Sequence, residues 1–280
     1  MKILVGYTHT AGGADALRLG TQLAQAFDAP LEIAMVVTGD AGGLRHVRDT
    51  AAGWLAEALA AVPEGVAAST HLEFAESAAA GLLGASRNLG TTLIVVGGRE
   101  RSGSVSNALL HASRVPVAVA PAGHADADPA PLRRVTAAVG LRPGAEAVMR
   151  AGVLSAQRAG ADLRVLSLVT LDARALGSEA EGEALAAAHG DRVRAFVREV
   201  SPDGLAPEVA VAAGRRIEDA VRRVEWEDGE IVLVGSSRLA SLGRTFLGST
   251  AGKMLRALPV PLVIVPRDME PTFEDKEPTS

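Results

Sequence analysis

Apolar residues along this chain follow two alternating patterns. Short unbroken runs, such as Ile94-Val95-Val96 and Ile231-Val232-Leu233-Val234, are separated by longer stretches in which apolar positions return every three to four residues. The unbroken runs predict strands buried on both faces, as in a parallel sheet between two helical layers. The longer spacing predicts amphipathic helices. Leu17, Leu19, Leu23, Ala24 and Phe27 share one such face, and Trp54, Leu55, Ala58, Leu59 and Val62 share another. Strands are therefore expected at 2–7, 31–38, 69–75, 92–97 and 116–120, with helices at 14–27, 44–61, 77–88 and 104–112. The second half repeats the scheme, with strands at 135–139, 163–170, 208–212, 231–235 and 261–265 and helices at 145–159, 179–200, 215–226 and 249–257.

The repetition extends to the residues themselves. Ile3-Leu4-Val5 falls on Val135-Thr136-Ala137, Gly20 on Gly152, and Ala29, Leu31 and Ile33 on Ala161, Leu163 and Val165, all at a shift of 132. Ile94-Val95-Val96-Gly97 meets Val232-Leu233-Val234-Gly235 at a shift of 138, and Gly103-Ser104 meets Gly248-Ser249 at 145. The difference, 145 − 138, makes the first copy's loop after its fourth strand seven residues shorter. The chain thus reads as an α/β protein with two tandem doubly wound five-stranded parallel-sheet domains. Residues 1–121 and 132–267 form the copies, 122–131 (rich in Pro, Ala and Asp) a linker, and 268–280 an acidic tail expected to be disordered. Each fifth strand, 116–120 and 261–265, is an apolar edge that needs cover.

Composition narrows the function more than the fold. With 280 residues there is room for two cores, and a net charge of −5 with 3% aromatic residues offers neither a basic field nor stacking platforms for nucleic acid. Cysteine is absent, which excludes disulfides, thiolate metal sites and a cysteine nucleophile and suits a reducing cytoplasm. No apolar run reaches the ~18 residues of a membrane span, so membrane insertion is not expected. The six histidines have no metal-ligand spacing. Gly12-Gly13 and Gly42-Gly43 read as turn glycines that build no phosphate-binding fingerprint.

In a doubly wound sheet, ligands sit beyond the carboxyl ends of the strands near the switch in strand order. The strongest candidate there is 235–250, GSSRLASLGRTFLGST. Gly235 permits close backbone approach, Ser236 and Ser237 follow, and Gly248, Ser249 and Thr250 open a helix whose first N–H groups lack partners. Arg238 and Arg244 can pair with phosphate oxygens. The competing reading makes Ser249 an ordinary N-cap and the two arginines a solvated face.

The pattern Gly235-x2-Arg238-x9-Gly248-Ser249 resembles the nucleotide-binding signature of the universal stress protein family, with Arg238 in place of its middle glycine. The flanks IVLVGSSR and LPVPLVIVP resemble that family's fourth and fifth strands, and the likeness covers both copies. It implies an adenine-nucleotide alpha-hydrolase-like fold, the two copies related by a pseudo-twofold and paired within the chain through their fifth strands. It also implies a cytoplasmic stress-response protein whose second copy binds ATP or another adenine nucleotide through Gly140, Gly235, Ser236, Ser237, Arg238, Gly248, Ser249 and Thr250. Family members that bind ATP carry an Asp after the first strand, where this chain has Thr8 and Gly140, which counts against Mg. The first copy, with its shortened loop and Glu100, is expected to hold no triphosphate. The alternative is a scaffold of the same fold that has lost nucleotide binding and works through protein contacts. Weak ATP hydrolysis or autophosphorylation at Ser249 or Thr250 ranks last, since no general base lies near them in sequence. Pairing of two chains into a homodimer stays open.

Overall fold

A computed structural model of the protein describes residues 1–39, 45–98, 104–128, 130–171, 179–236 and 248–266. The first copy runs β1 (Ile3–Gly6), α1 (Ala11–Phe27), β2 (Leu31–Thr38), α2 (Arg45–Ala60), β3 (Ala68–Ala75), α3 (Ala78–Leu89), β4 (Leu93–Gly97), α4 (Ser104–Ala112) and β5 (Val117–Ala120). The second runs β6 (Arg134–Ala138), α5 (Ala145–Ala159), β7 (Asp162–Thr170), α6 (Glu179–Val200), β8 (Glu208–Gly214), α7 (Ile217–Arg222), β9 (Glu230–Gly235), α8 (Ser249–Ala257) and β10 (Leu262–Val265).

All ten strands form one sheet, ordered β3-β2-β1-β4-β5-β10-β9-β6-β7-β8. The order is a palindrome about β5 and β10, which pair antiparallel, Val119 opposite Leu262 and Val117 opposite Ile264; every other pairing is parallel. The pseudo-twofold follows, because two like edges can join antiparallel only by turning one copy over in the plane of the sheet. All four residues of β5 and all four of β10 are buried, so the joint lies inside the core rather than at its margin. Within each copy the chain reverses direction in the sheet between the first and fourth strands, at β1/β4 and again at β6/β9.

Two helices depart from the sequence reading. α1 starts at Ala11, so Gly12 and Gly13 lie in its first turn rather than in a turn outside it. Thr10 caps the helix by accepting from the Gly13 N–H at 3.3 Å. The glycines allow contact that a side chain would block: a Cβ on Gly13 would stand 1.8 Å from the Thr8 carbonyl oxygen, and one on Gly97 would stand 1.9 Å from that of Gly12. α7 stops at Arg222 instead of running to 226. Beyond it, the Trp226 Nε1–H donates to the Val221 carbonyl at 3.0 Å, and Arg164 donates to that of Glu225 at 3.1 Å, so tertiary partners replace the helix's own.

The segment joining the copies lies against α1. Asp15, 3% exposed, accepts from the Gly123 N–H at 3.2 Å and the Ala125 N–H at 2.8 Å. Gln22 donates to the Ala130 carbonyl at 2.8 Å, and Arg158 of α5 donates to the Phe27 carbonyl at 2.8 Å. Residues 268–280, expected as a tail, lie outside the described residues.

Candidate functional site

The second copy's crevice is built where β6 and β9 lie side by side, Ala138 opposite Val234, with Gly140 and Gly235 at their carboxyl ends. Ser236 continues the sheet, its N–H donating to the Val265 carbonyl at 2.8 Å. Its Oγ is out of contact with solvent and has no hydrogen-bond partner among the described residues, an arrangement that costs stability unless something else satisfies it. Gly248 is the N-cap residue of α8, with φ −68°, ψ 160° and no side chain to offer. Ser249 and Thr250 are exposed in the first turn, which contains no acidic residue. Ser249 therefore does not serve as the cap, and among the described residues no side chain caps this turn, the kind of helix start that suits an anion. Among the described residues, a Cβ on Gly235 would meet only the Val148 side chain, at 3.1 Å, and one on Gly140 nothing within 4 Å. Ser237 and Arg238, on which much of the phosphate reading rests, lie outside the described residues.

The first copy treats the same place differently. Its first helix begins at Ala11, a position that aligns with Pro143, whereas α5 begins at Ala145 after Gly144 with φ 98°. The early start of α1 lies against Gly97, so that backbone rather than open space faces this glycine. On the other side of β1, a cleft of about 470 Å³ is lined by Thr8, His9 and Thr10 after β1, by the end of β2 around Met35 and Val37, and by the α2 face carrying Ala51 and Trp54. His9 and Trp54 stack with centroids 4.9 Å apart and planes 8° apart, and the Thr8 and Thr10 hydroxyls are 2.8 Å from each other. In the second copy Ser167 occupies the position of Met35. Its Oγ donates to the Val139 carbonyl at 2.8 Å, so the His189 Nε2, 2.9 Å away, must be the donor to Ser167. Burial, with a smaller effect of Arg192, holds the His189 imidazole below its ordinary pKa, in keeping with a neutral ring.

A model of the universal stress protein family matches residues 1–121 and again 131–266. The chain belongs to the universal stress protein family. Curated relatives agree: universal stress proteins of Mycobacterium bovis and of Mycobacterium tuberculosis H37Rv are each 29% identical over 293 residues, covering 95% of this chain and 100% of theirs. Among solved structures, a universal stress protein from Archaeoglobus fulgidus superposes with a TM-score of 0.63 at 18% identity, covering 95% of this chain and 98% of that one. A Pseudomonas aeruginosa protein of unknown function gives 0.64 at 18% identity, with 95% and 92% covered. At that identity both show the fold alone.

For this universal stress protein the sequence placed Gly140, Gly235, Ser236, Gly248, Ser249 and Thr250 around one crevice, and the strand order and helix start bring them to the same end of the second copy. It missed the first-copy cleft. Trp54 was assigned to a core-facing stripe but is 36% exposed on the cleft wall. His9, which the sequence showed only as one of six histidines without metal-ligand spacing, is its stacking partner. The available signal was an aromatic and an imidazole, each near the carboxyl end of a strand or the helix after it. Among the described residues no group of three or more His, Asp or Glu could hold a metal, and no helix is long and apolar enough to cross a membrane.

Proposed function

We propose that this universal stress protein is a cytoplasmic stress-response regulator whose second copy binds the phosphates of an adenine nucleotide, ATP or a relative, and whose protein contacts respond to that binding. The observation that carries the reading is the start of α8 at Gly248 without a side-chain cap, with the Ser236 Oγ, at the carboxyl end of β9, lacking a partner among the described residues. An anion there would accept from the N–H groups of Ser249 and Thr250 and from the Ser236 hydroxyl. Gly235 and Gly140 would leave room for it, and Ser237 and Arg238 would add donors. The residues present fit phosphate better than they fit Mg, since neither Thr8 nor Gly140 supplies a carboxylate. Such an ion would only screen phosphate charge in this site.

The test is to purify the protein without added nucleotide, denature it, analyse the supernatant for ATP, ADP and AMP, and then titrate ATP against wild type and Gly248→Val. Gly248 has a negative φ, so the substitution crowds the anion site without backbone strain. Saturable binding weakened by roughly tenfold or more, the loss of one or two charge-assisted hydrogen bonds, is the expected result. No copurified nucleotide and no saturable binding would sink the reading and leave a scaffold that works through protein contacts. Binding that ignores Gly248→Val would place the nucleotide elsewhere.

A further inference from the structure

We propose that the acidic segment 267–280 of this chain docks, within the same molecule, on the basic outer face of α7 and α8. That face stands apart in a protein of net charge −5: residues 213–223 and 249–257 carry six Lys or Arg against two carboxylates. Arg215, Arg216, Arg222 and Arg223 are exposed around α7, and Arg256 is exposed on α8 one turn from Lys253. Spacing of three or four residues puts Glu218 and Arg222 on one side of α7, and Lys253 and Arg256 on one side of α8. The two sides meet, since Arg256 reaches Glu218 across the helix pair at 3.3 Å. Asp219 is shared by Arg216 and Arg222, each at 3.4 Å. Both carboxylates are therefore taken, and Arg215, Arg223 and Lys253 are left without a salt bridge among the described residues.

The occupant follows from where the chain leaves the sheet. Val265 ends β10 opposite Gly235, and its carbonyl accepts from the Ser236 N–H at 2.8 Å. α7 starts at this same end of the sheet, directly after β8. α8 also starts there, because its last turn leads back to the beginning of β10. Residues 267–280 lie outside the described residues. In sequence they hold Asp268, Glu270, Glu274, Asp275 and Glu277 against Arg267 and Lys276, the opposite sign to the helix face. Their 14 residues span up to ~45 Å when extended, whereas α8 is ~13 Å long and a packed neighbouring helix lies ~10 Å to its side. Each exposed ion pair contributes little by itself. The tether makes up the difference: a segment attached beside its own docking face has an effective concentration on the order of 1 mM, which populates even a contact of millimolar affinity. A segment from a second copy lacks that advantage in dilute solution.

Lysine is rare in this chain, with Lys2, Lys253 and Lys276 alone, so zero-length carbodiimide coupling gives a simple readout. The full-length protein is coupled at low salt, digested, and searched by mass spectrometry for an amide between Lys253 and a carboxylate of 268–277. That product is the expected result. Its yield should fall by roughly fivefold or more in about 0.5 M NaCl, where screening acts over a few ångström. It should fall by roughly twofold or more in the double variant Arg215→Gln, Arg222→Gln, which removes two exposed charges and should leave the far-ultraviolet circular dichroism unchanged. The yield per molecule should not change on about tenfold dilution, since the contact is within one chain. Absence of the product overturns the proposal, as does a yield that ignores both salt and the two substitutions. A yield that falls in step with dilution overturns docking within the chain and makes a second copy the source of the segment. None of these outcomes depends on a nucleotide in the second copy.

Discussion

Replacing Glu230 by Ala should unfold the second copy more readily than any exposed substitution on it. Glu230 and Arg164 form an ion pair whose side chains are 0% and 6% exposed. One Glu230 oxygen also accepts from the Thr136 hydroxyl, and the other from the Glu227 N–H at 3.2 Å. Arg164 in turn donates to Thr136 at 3.0 Å and to the Glu225 carbonyl at 3.1 Å, with the Trp226 ring beneath it. Removing the carboxylate leaves a guanidinium in the core without its counter-charge, a loss of about 3–5 kcal/mol. The nearby Arg134–Glu227 pair, 2.7 Å apart with Glu227 53% exposed, supplies the contrast: Glu227→Ala should cost at most about 1 kcal/mol.

The assay is urea unfolding followed by tryptophan emission in Trp54→Phe background, so that Trp226 reports on its own copy. At roughly 2–4 °C per kcal/mol for a unit of this size, Glu230→Ala should also lower that copy's Tm by about 10 °C. Replacing the cluster together, Arg164→Met with Glu230→Leu and Thr136→Val, should recover most of the loss, because no charge is then stranded. A cost below about 1 kcal/mol for Glu230→Ala, or a triple variant as unstable as the single one, would refute the reasoning.

Gly97→Ala should destabilise the first copy by about 1–3 kcal/mol, since its methyl would collide with the Gly12 backbone, whereas Gly235→Ala, facing one movable Val148 methyl, should stay within about 0.5 kcal/mol; thermal melts of the pair test this. Asp15→Ala strands two backbone N–H groups of the joining segment and should cost about 1–3 kcal/mol, with limited proteolysis cutting near residues 121–128 faster than in wild type. Burial pushes the Glu32 carboxyl up, but hydrogen bonds from Ser69, His71 and Lys2 outweigh it and hold the carboxyl below 4.5. Its contribution is therefore present above that value and lost as pH falls through the folded one, so Glu32→Gln should flatten the acid limb of first-copy stability below pH 4.5. His189, depressed by burial, has the same sign at higher pH: its share of second-copy stability is complete above 6.5 and declines as pH falls through its lowered value, and denaturant midpoints of His189→Gln should lack that decline.

The strands could be read from sequence because burial on both faces leaves an unbroken apolar run, as in Ile231 to Val234; an apolar fifth strand such as Val117–Ala120 showed that an edge needs cover, and the family resemblance supplied its partner. The start of α1 could not. Gly12 and Gly13 have low helix propensity, and what holds them in the helix is close approach to Thr8 and Gly97, one of them a chain-distant partner. The early end of α7 was hidden for a like reason: the apolar spacing continues to Trp226, but Arg164 and the indole itself take up the carbonyls that another helical turn would have used. Asp15 gave no local sign of being buried, since its partners are backbone groups more than a hundred residues away. Trp54 fits an amphipathic stripe equally well whether the stripe meets a core or a cleft, because periodicity gives the face and not what stands opposite it.

The two copies put one helix start to different uses. In the first, α1 begins two aligned positions early and presses Gly12 against Gly97. The same helix presents Asp15 and Gln22 to the joining segment and its Phe27 carbonyl to Arg158 of α5, so packing on β4 and anchoring the second copy fall to one element. In the second copy, α5 begins later, after Gly144, and among the described residues a Cβ on Gly235 would meet only the Val148 side chain. A duplicated fold with a pseudo-twofold could have kept two equal sites. Here the first copy's α1 holds the joint, while in the second copy α8 starts at Gly248 without a side-chain cap. A ligand entering either place would act on an element that touches the other copy, α1 through Arg158 or β9 through β10 and β5.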